Sequence, residues 1–287
     1  MHELPEGFPP SAAKLPNSLP NLAVNVARKT FEGREILRDV SFAVNSGEVV
    51  ALVGPSGSGK TTLLRIIAGL DKDYVGSVLV GAQKVTTPSR RVGIVFQDAR
   101  LLPWLNVESN VGLGVRKSLS DADRQKAIRD ALTSAGLEET RHAAWPLELS
   151  GGEVRRVAFA RAVGGSPEVL LLDEPFSALD ALSRDHLYSA VMTLLGRTLG
   201  KSSTSVGNLP SIVLVTHDTT EAARIADRVL VLSRDTPTTV VAELSTDIPR
   251  PRLRADQRVQ QFAERIVEAV LKSNTAQPAD QGVATQV

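Results

Sequence analysis

The chain has 287 residues, 42% hydrophobic and 23% charged, a composition that supports one large core or two smaller ones and excludes disorder throughout. Its 33 Lys and Arg against 32 Asp and Glu leave a formal charge of +1, without the basic surplus of a protein that coats nucleic acid, so no nucleic-acid partner is expected. The absence of Cys excludes disulfides, thiolate metal sites and a Cys nucleophile, and fits a reducing compartment, with the cytoplasm as the default.

Residues 1–21 hold five prolines (Pro5, Pro9, Pro10, Pro16 and Pro20) and early acids (Glu3, Glu6), which predicts a disordered leader and argues against a signal peptide. Structure is expected from Leu22. Alternation at Leu22–Val26 and Val40–Val44 predicts half-buried antiparallel strands. Continuous apolar runs at Val49–Val53, Val92–Phe96, Val169–Leu172, Ile212–Val215 and Val229–Leu232 suit a parallel sheet covered on both faces. Helical spacing at Lys60–Gly69, Asp121–Ala135, Gly152–Val163, Ala181–Leu195 and Thr219–Ala226 alternates with those runs, and the alternation predicts an α/β fold. The helix-rich stretch before Val169 is too long for one crossover, so an inserted helical subdomain is expected at about 98–165. Lys201–Pro210 reads as a polar surface loop, and Pro249–Arg252 (PRPR) as extended and basic. Within 253–287, Val259, Phe262, Ile266 and Val270 stand 3, 4 and 4 residues apart, which predicts an amphipathic terminal helix followed by a frayed tail. A membrane span needs roughly 20 consecutive apolar residues. Every run here is strand-sized, so any membrane role requires a partner.

Three motifs carry chemistry. GPSGSGKT, Gly54–Thr61, stands directly after an apolar strand and before a helical pattern. Its glycines let backbone N–H groups turn around phosphate oxygens, Lys60 reaches the β and γ phosphates, and Thr61 suits Mg²⁺. VLLLDEP places Asp173 at the C-terminal end of a buried strand. Adjacent side chains diverge there, so Asp173 can face a metal while Glu174 faces an attacking water as general base. In LSGGE, Leu149–Glu153, Ser150 and Glu153 form an S-x-x-E capping box, which alone signals only a helix start. Gly151 and Gly152 are poor helix formers in a first turn, which suggests that something approaches the backbone there, a phosphate being the natural candidate.

GPSGSGKT, Gln97, LSGGE, LLLDEP, SALD and His217 occur in the order and spacing of ATP-binding cassette ATPases. The likeness runs from about Leu22 to Arg252. This resemblance implies a P-loop NTPase with a RecA-like core, an antiparallel β subdomain and a helical subdomain, and two copies that sandwich two ATP molecules. Carried over residue by residue, Gly54, Pro55, Ser56, Gly57, Ser58, Gly59, Lys60, Thr61 and Thr62 are similar to the family's phosphate loop. Phe31 resembles its adenine-stacking aromatic, although an edge-of-core role is also open. Gln97 resembles the glutamine that touches Mg²⁺ or water, Asp173 the metal carboxylate and Glu174 the base. Asp180 resembles the aspartate that communicates across the dimer, and His217 the histidine on the γ phosphate. Ser150, Gly151 and Gly152 would bind the γ phosphate of ATP held by the opposite copy.

Glu153 departs from the family's usual Gln, which puts an extra negative charge near the nucleotide if it points inward. FQDARLLPWLNVESNVGLG, ALDALSR and DIPRPR look like the nitrate, sulfonate and taurine branch of ABC importers, and most like aliphatic sulfonate import ATPases. That branch implies two permease subunits, an indirect solute-binding protein and a peripheral place on the cytoplasmic face of the inner membrane. Leu101, Leu102, Pro103 and Trp104 would receive a permease helix, or alternatively pack inside. Nothing in the chain would touch the solute, so nitrate, taurine or another small solute stays open, as does an ATP-switched scaffold without transport.

Overall fold

Continuous apolar runs need cover on both faces, and that requirement builds the centre of this molecule. A computed structural model describes residues 20–196 and 209–275. Nearly all of the expected leader, most of the 201–210 loop and the last dozen residues lie outside the described residues.

In chain order, β1 (Leu22–Phe31) and β2 (Arg34–Val44) form a hairpin, and β3 (Val49–Val53) leads into α1 (Lys60–Ile67). β4 (Val75–Val80) and β5 (Gln83–Lys84) precede β6 (Val92–Val95). Three helices follow: α2 (Val107–Gly112), α3 (Asp121–Ser134) and α4 (Gly151–Val163). β7 (Val169–Asp173), α5 (Ala181–Leu194), β8 (Ser211–Val215), α6 (Thr219–Ile225), β9 (Arg228–Leu232), β10 (Val240–Ser245) and α7 (Gln257–Thr275) complete the described chain. One sheet, ordered β2-β1-β4-β5, is antiparallel. The other, ordered β10-β9-β3-β8-β7-β6, is parallel except for β10 at its edge.

Each central strand feeds two cores, because successive side chains point to opposite faces. Leu170 and Leu172 of β7 and Ile212 and Leu214 of β8 pack with the helices α2 to α7. Leu171, Val213 and Val215 face the other way, against α1 and the antiparallel sheet. Val107, Val111, Ile128 and Leu132, from helices between β6 and β7, share the first core with the sheet. Val259, Phe262 and Ile266 of α7 are buried in that core, at the spacing the sequence indicated.

Four elements escape the sequence patterns. β10 lies at the edge with every second residue exposed, so its apolar signal is diluted. β4 is interrupted by Gly76, whose φ of 136° and backbone approach to the Asn25 carbonyl leave no room for a Cβ. β5 has two residues and α2 six, both too short for periodicity to register.

The basic PRPR segment is turned inward. Arg250 and Arg252 are buried, with 7% and 2% exposure. Arg252 donates to the carbonyls of Ile248, Ala223 and Ala226 and lies 3.5 Å from Asp227, while Arg250 reaches the other Asp227 oxygen at 2.9 Å. Asp227 in turn accepts from the Val49 N–H. The basic segment therefore clamps the start of β3 to α6 and β9. Removing Arg252 leaves Asp227 paired with Arg250 but takes the donor from the Ile248, Ala223 and Ala226 carbonyls, and a buried acceptor left unsatisfied costs about 1–3 kcal/mol. Arg252→Ala should lower the urea unfolding midpoint accordingly, with Arg252→Lys recovering part of the loss; an unchanged midpoint in Arg252→Ala would refute the clamp.

Candidate functional site

Four loops leave the C-terminal ends of adjacent parallel strands, where open α/β sheets place their ligands. They carry residues 54–59 after β3, Gln97 after β6, Glu174 after β7 and His217 after β8. Together with Phe31 from β1 they line a cleft of about 660 Å³ that also takes in Ser56, Gly57, Gly59, Lys60, Thr61 and Thr62.

The 54–59 loop is shaped by its glycines. Gly57 and Gly59 have φ of 81° and 75°, a region that favours residues without a Cβ. At Gly59 a Cβ would also stand 2.8 Å from Leu37. Lys60, 7% exposed, donates to the Gly54 and Pro55 carbonyls at 2.8 and 2.6 Å and lies 3.3 Å from the Ser58 hydroxyl. Burial pulls its ammonium below the ordinary lysine value, while Glu174 and Asp173 work the other way. A polyanion above the loop would relieve that penalty.

Asp173, 4% exposed, accepts from the Thr61 hydroxyl at 3.1 Å. Burial pushes its carboxyl up, against the Thr61 hydrogen bond and with the help of the neighbouring Glu174 charge. Glu174 diverges as the sequence suggested. One carboxylate oxygen accepts from the Gln97 amide at 3.2 Å and the other lies 3.3 Å from His217 Nδ1. Its backbone has a φ of 46°, a conformation that costs a non-glycine residue on the order of 1–3 kcal/mol and persists only where surrounding contacts enforce it.

Phe31 is 62% exposed on the cleft wall, which removes the edge-of-core alternative. Ser150, Gly151, Gly152 and Asp180 stand apart: none lines this cleft. Ser150 caps α4, and Asp180 caps α5 by accepting from the Ser183 N–H. The two glycines differ. A Cβ on Gly151 would meet open space, whereas one on Gly152 would lie 2.3 Å from the Ser183 hydroxyl. Gly152 is thus required by packing against Ser183 of its own chain, 31 residues away.

Glu153 does not add a free charge. Its carboxylate accepts from the Ser150 N–H at 2.7 Å and from Arg141 at 2.9 Å. Burial works to raise its carboxyl, but the Ser150 and Arg141 hydrogen bonds outweigh it and hold the group below its usual value. Of the apolar 101–104 stretch, Leu101 packs on the core, Leu102 is half-buried, and Pro103 and Trp104 are exposed, Trp104 at 68%.

Several neighbours were not singled out by sequence. Lys29, Ile36, Arg65, Asp71 and Val215 also line the cleft. Arg65 follows Thr61 by one helical turn and was legible in principle; the Lys29–Asp71 ion pair, at 2.8 Å across 42 residues, had no local signal. Behind His217 lies Glu221. It accepts from the Thr216 hydroxyl at 3.1 Å and faces Arg184 of α5 at 3.6 Å.

Burial first, and then the Asp218 charge, push the Glu221 carboxyl up to about 7 against the Thr216 hydrogen bond and the Arg184 and His217 charges. In the unfolded chain it ionises near 4.5. A raised carboxyl contributes stability that is complete below about pH 4.5 and lost as pH rises through about 7. Glu221→Gln stays neutral throughout, so its stability should fall less than that of the parent between pH 5 and 8, by on the order of 3 kcal/mol. Urea midpoints across that range test it, and parallel pH profiles would show that the carboxyl ionises freely.

Comparison with known proteins places this geometry. The family described as ABC transporter matches residues 37–177. The aliphatic sulfonates import ATP-binding protein SsuB 2 of Burkholderia cenocepacia (strain HI2424) is 40% identical over 250 residues, covering 87% of each chain. SsuB of Pseudomonas entomophila (strain L48) is 42% identical over 263 residues, covering 92% of this chain and 90% of that protein. Among solved structures, the dimeric post-hydrolysis state of the ATP-binding cassette MJ0796 bound to ADP and Pi aligns with a TM-score of 0.66 and 31% identity, covering 78% of this chain and 98% of that one. With relatives of this identity along nearly its whole length, the chain belongs to the ABC transporter family, as an ATP-binding subunit that hydrolyses ATP.

Proposed function

We propose that this subunit energises the import of small oxyanionic solutes, aliphatic sulfonates first among them. The import and the solute rest on the sulfonate-import names of relatives that match the chain almost end to end. The catalytic reading rests on one observation, the carboxylate of Glu174 held between the Gln97 amide and His217.

In this reading the adenine stacks on Phe31. The Gly54–Thr62 loop turns its N–H groups to the phosphates, and Lys60 leaves the Gly54 and Pro55 carbonyls for the β and γ phosphates. Glu174 takes a proton from the attacking water, Gln97 orients that water, and His217 donates to the γ phosphate. Mg²⁺ fits the donors present: the Thr61 hydroxyl and Asp173 carboxylate converge at 3.1 Å, both hard oxygens, and a buried carboxyl pushed up by burial gains from a cation. Thr61, Asp173 and Gln97 would hold it, where it would offset phosphate charge.

Ser150, Gly151 and Gly152, outside the chain's own cleft, meet the γ phosphate bound by a second copy, and Asp180 faces that copy. A solved relative is described as a dimer, which supports a second copy as partner. Two permease subunits dock at the exposed apolar surface around Trp104. There Trp145 and Leu147 are 50% and 93% exposed, and Val107 and Glu108 donate to the Ala144 and His142 carbonyls, which fastens the two segments together. Apolar exposure of this kind marks an interaction site. Among the described residues no helix is long and apolar enough to cross a membrane; docking on the permeases would hold the subunit at the cytoplasmic face of the inner membrane, with a solute-binding protein acting from the other side.

Glu174→Gln keeps size and removes basicity, so turnover should drop by about 10² to 10⁴ while MgATP drives a dimer visible by size-exclusion chromatography. Near-normal phosphate release would remove Glu174 from the mechanism, and a dead variant that stays monomeric would count against the shared site. Arg141→Ala exposes the Glu153 charge beside Ser150 and should raise the KM for ATP several-fold, with Glu153→Gln restoring it; no effect of Arg141→Ala would show that Glu153 faces away from nucleotide. Deletion of the gene should abolish growth on alkanesulfonates as sole sulfur source and spare growth on sulfate. Unimpaired growth on alkanesulfonates would redirect the solute assignment to another small anion.

A further inference from the structure

Arg155 lies on α4, one turn beyond the Ser150 cap, and its guanidinium reaches two distant segments at once. Nη1 is 3.1 Å from the Gln97 carbonyl and 3.5 Å from each of the Glu174 and Pro175 carbonyls, and Nη2 is 3.4 Å from the Ser177 hydroxyl. That hydroxyl itself donates to the Glu174 carbonyl at 2.8 Å. The same Glu174 backbone carries the left-handed φ of 46°. A strained residue needs contacts that over-determine it, and Arg155 with Ser177 supplies them on the carbonyl side, while the Glu174 N–H donates to the Val215 carbonyl at 2.9 Å on the other.

We propose that Arg155 is a positioning residue that sets the Glu174 carboxylate through the backbones of Gln97 and Glu174, and so links the helix headed by Ser150 to the hydrolytic centre of the same chain. The Gln97 side chain donates to Glu174 while the Gln97 carbonyl accepts from Arg155, so both ends of that contact hang on one guanidinium. A second arginine of α4 extends the link: Arg161 donates to the Ala99 and Arg100 carbonyls at 2.8 and 3.0 Å, and Arg100 too has a left-handed φ, of 47°. Helix α4 thereby grips the segment from Gln97 to Arg100, which leads directly into the exposed Trp104 surface. A planar guanidinium with several fixed donors can serve divergent carbonyls at once, which a point charge cannot do equally well. Burial works against its charge and holds it below the usual arginine value, while Asp98 and Glu174 are the acidic groups that favour the charge.

This inference rests on the reading of Glu174 as base, and the test separates the two. Full-length parent, Arg155→Met, Arg155→Lys, Glu174→Gln and Arg155→Met/Glu174→Gln are compared with MgATP for kcat, KM and urea midpoint. Arg155→Met keeps the bulk of the stem and loses every donor. Displacing a reacting group by a fraction of an ångström to an ångström costs up to about 10² in rate, so Arg155→Met should lower kcat by about ten-fold or more with KM within about two-fold. Arg155→Lys should recover part of kcat, and the double variant should be no slower than Glu174→Gln alone. A normal kcat in Arg155→Met beside an inactive Glu174→Gln overturns the positioning role and leaves the base assignment intact. Equal losses in Arg155→Met and Arg155→Lys that track a lowered urea midpoint also overturn it, because Arg155 is then a packing element. Wild-type phosphate release in Glu174→Gln removes the base reading itself, whatever Arg155 does.

Discussion

The geometry of this subunit depends on one backbone conformation, the left-handed turn at Glu174. A buried strand delivers two consecutive carboxylates to the C-terminal end of the parallel sheet, where each disfavours charge on the other if they stay close. The turn separates them. Asp173 stays buried against Thr61, while Glu174 swings between Gln97 and His217. Loops from β6, β7 and β8 meet there only because those strands are hydrogen-bonded neighbours in one sheet.

Electrostatics around that turn is finely divided. Burial disfavours charge on both Lys60 and Asp173, and each is partly relieved by the other's opposite charge. A polyanion beside Lys60 would relieve its part of that penalty. Further back, Glu221 carries a similar burial penalty in contact with Thr216, one residue before His217. The interior of the site thus holds more charge than the fold alone would favour, a pattern common where function sets pKa values.

The exchange of Glu for the family's usual Gln in LSGGE illustrates how a local departure is absorbed. Either residue closes the capping box, so helix initiation does not distinguish them. What distinguishes them is charge, and Arg141, twelve residues upstream, supplies the compensation. Arg141 stands in a 3-10 turn that the apolar pattern gives no reason to notice. A nearby negative charge is therefore neutralised before it reaches the face where nucleotide from a second copy would sit.

The sequence by itself determined the parallel sheet, whose strands are continuous apolar runs that need cover on both faces, and the glycine-shaped loop after β3, whose residues are contiguous from Gly54 to Thr62. It also determined the Asp173–Glu174 pair, because both residues follow one buried strand, and α7, through the spacing of Val259, Phe262 and Ile266. Local patterns succeed where one element carries the whole signal. Tertiary structure alone decided that Phe31 faces the cleft, that Gly152 is packed against Ser183, and that Arg250 and Arg252 of the basic PRPR segment are buried on Asp227. It alone brought Arg155 to the carbonyls of Gln97 and Glu174, 58 and 19 residues away. Those contacts join side chains to backbone groups on distant strands, and a backbone acceptor leaves no mark in the sequence, since every residue has one.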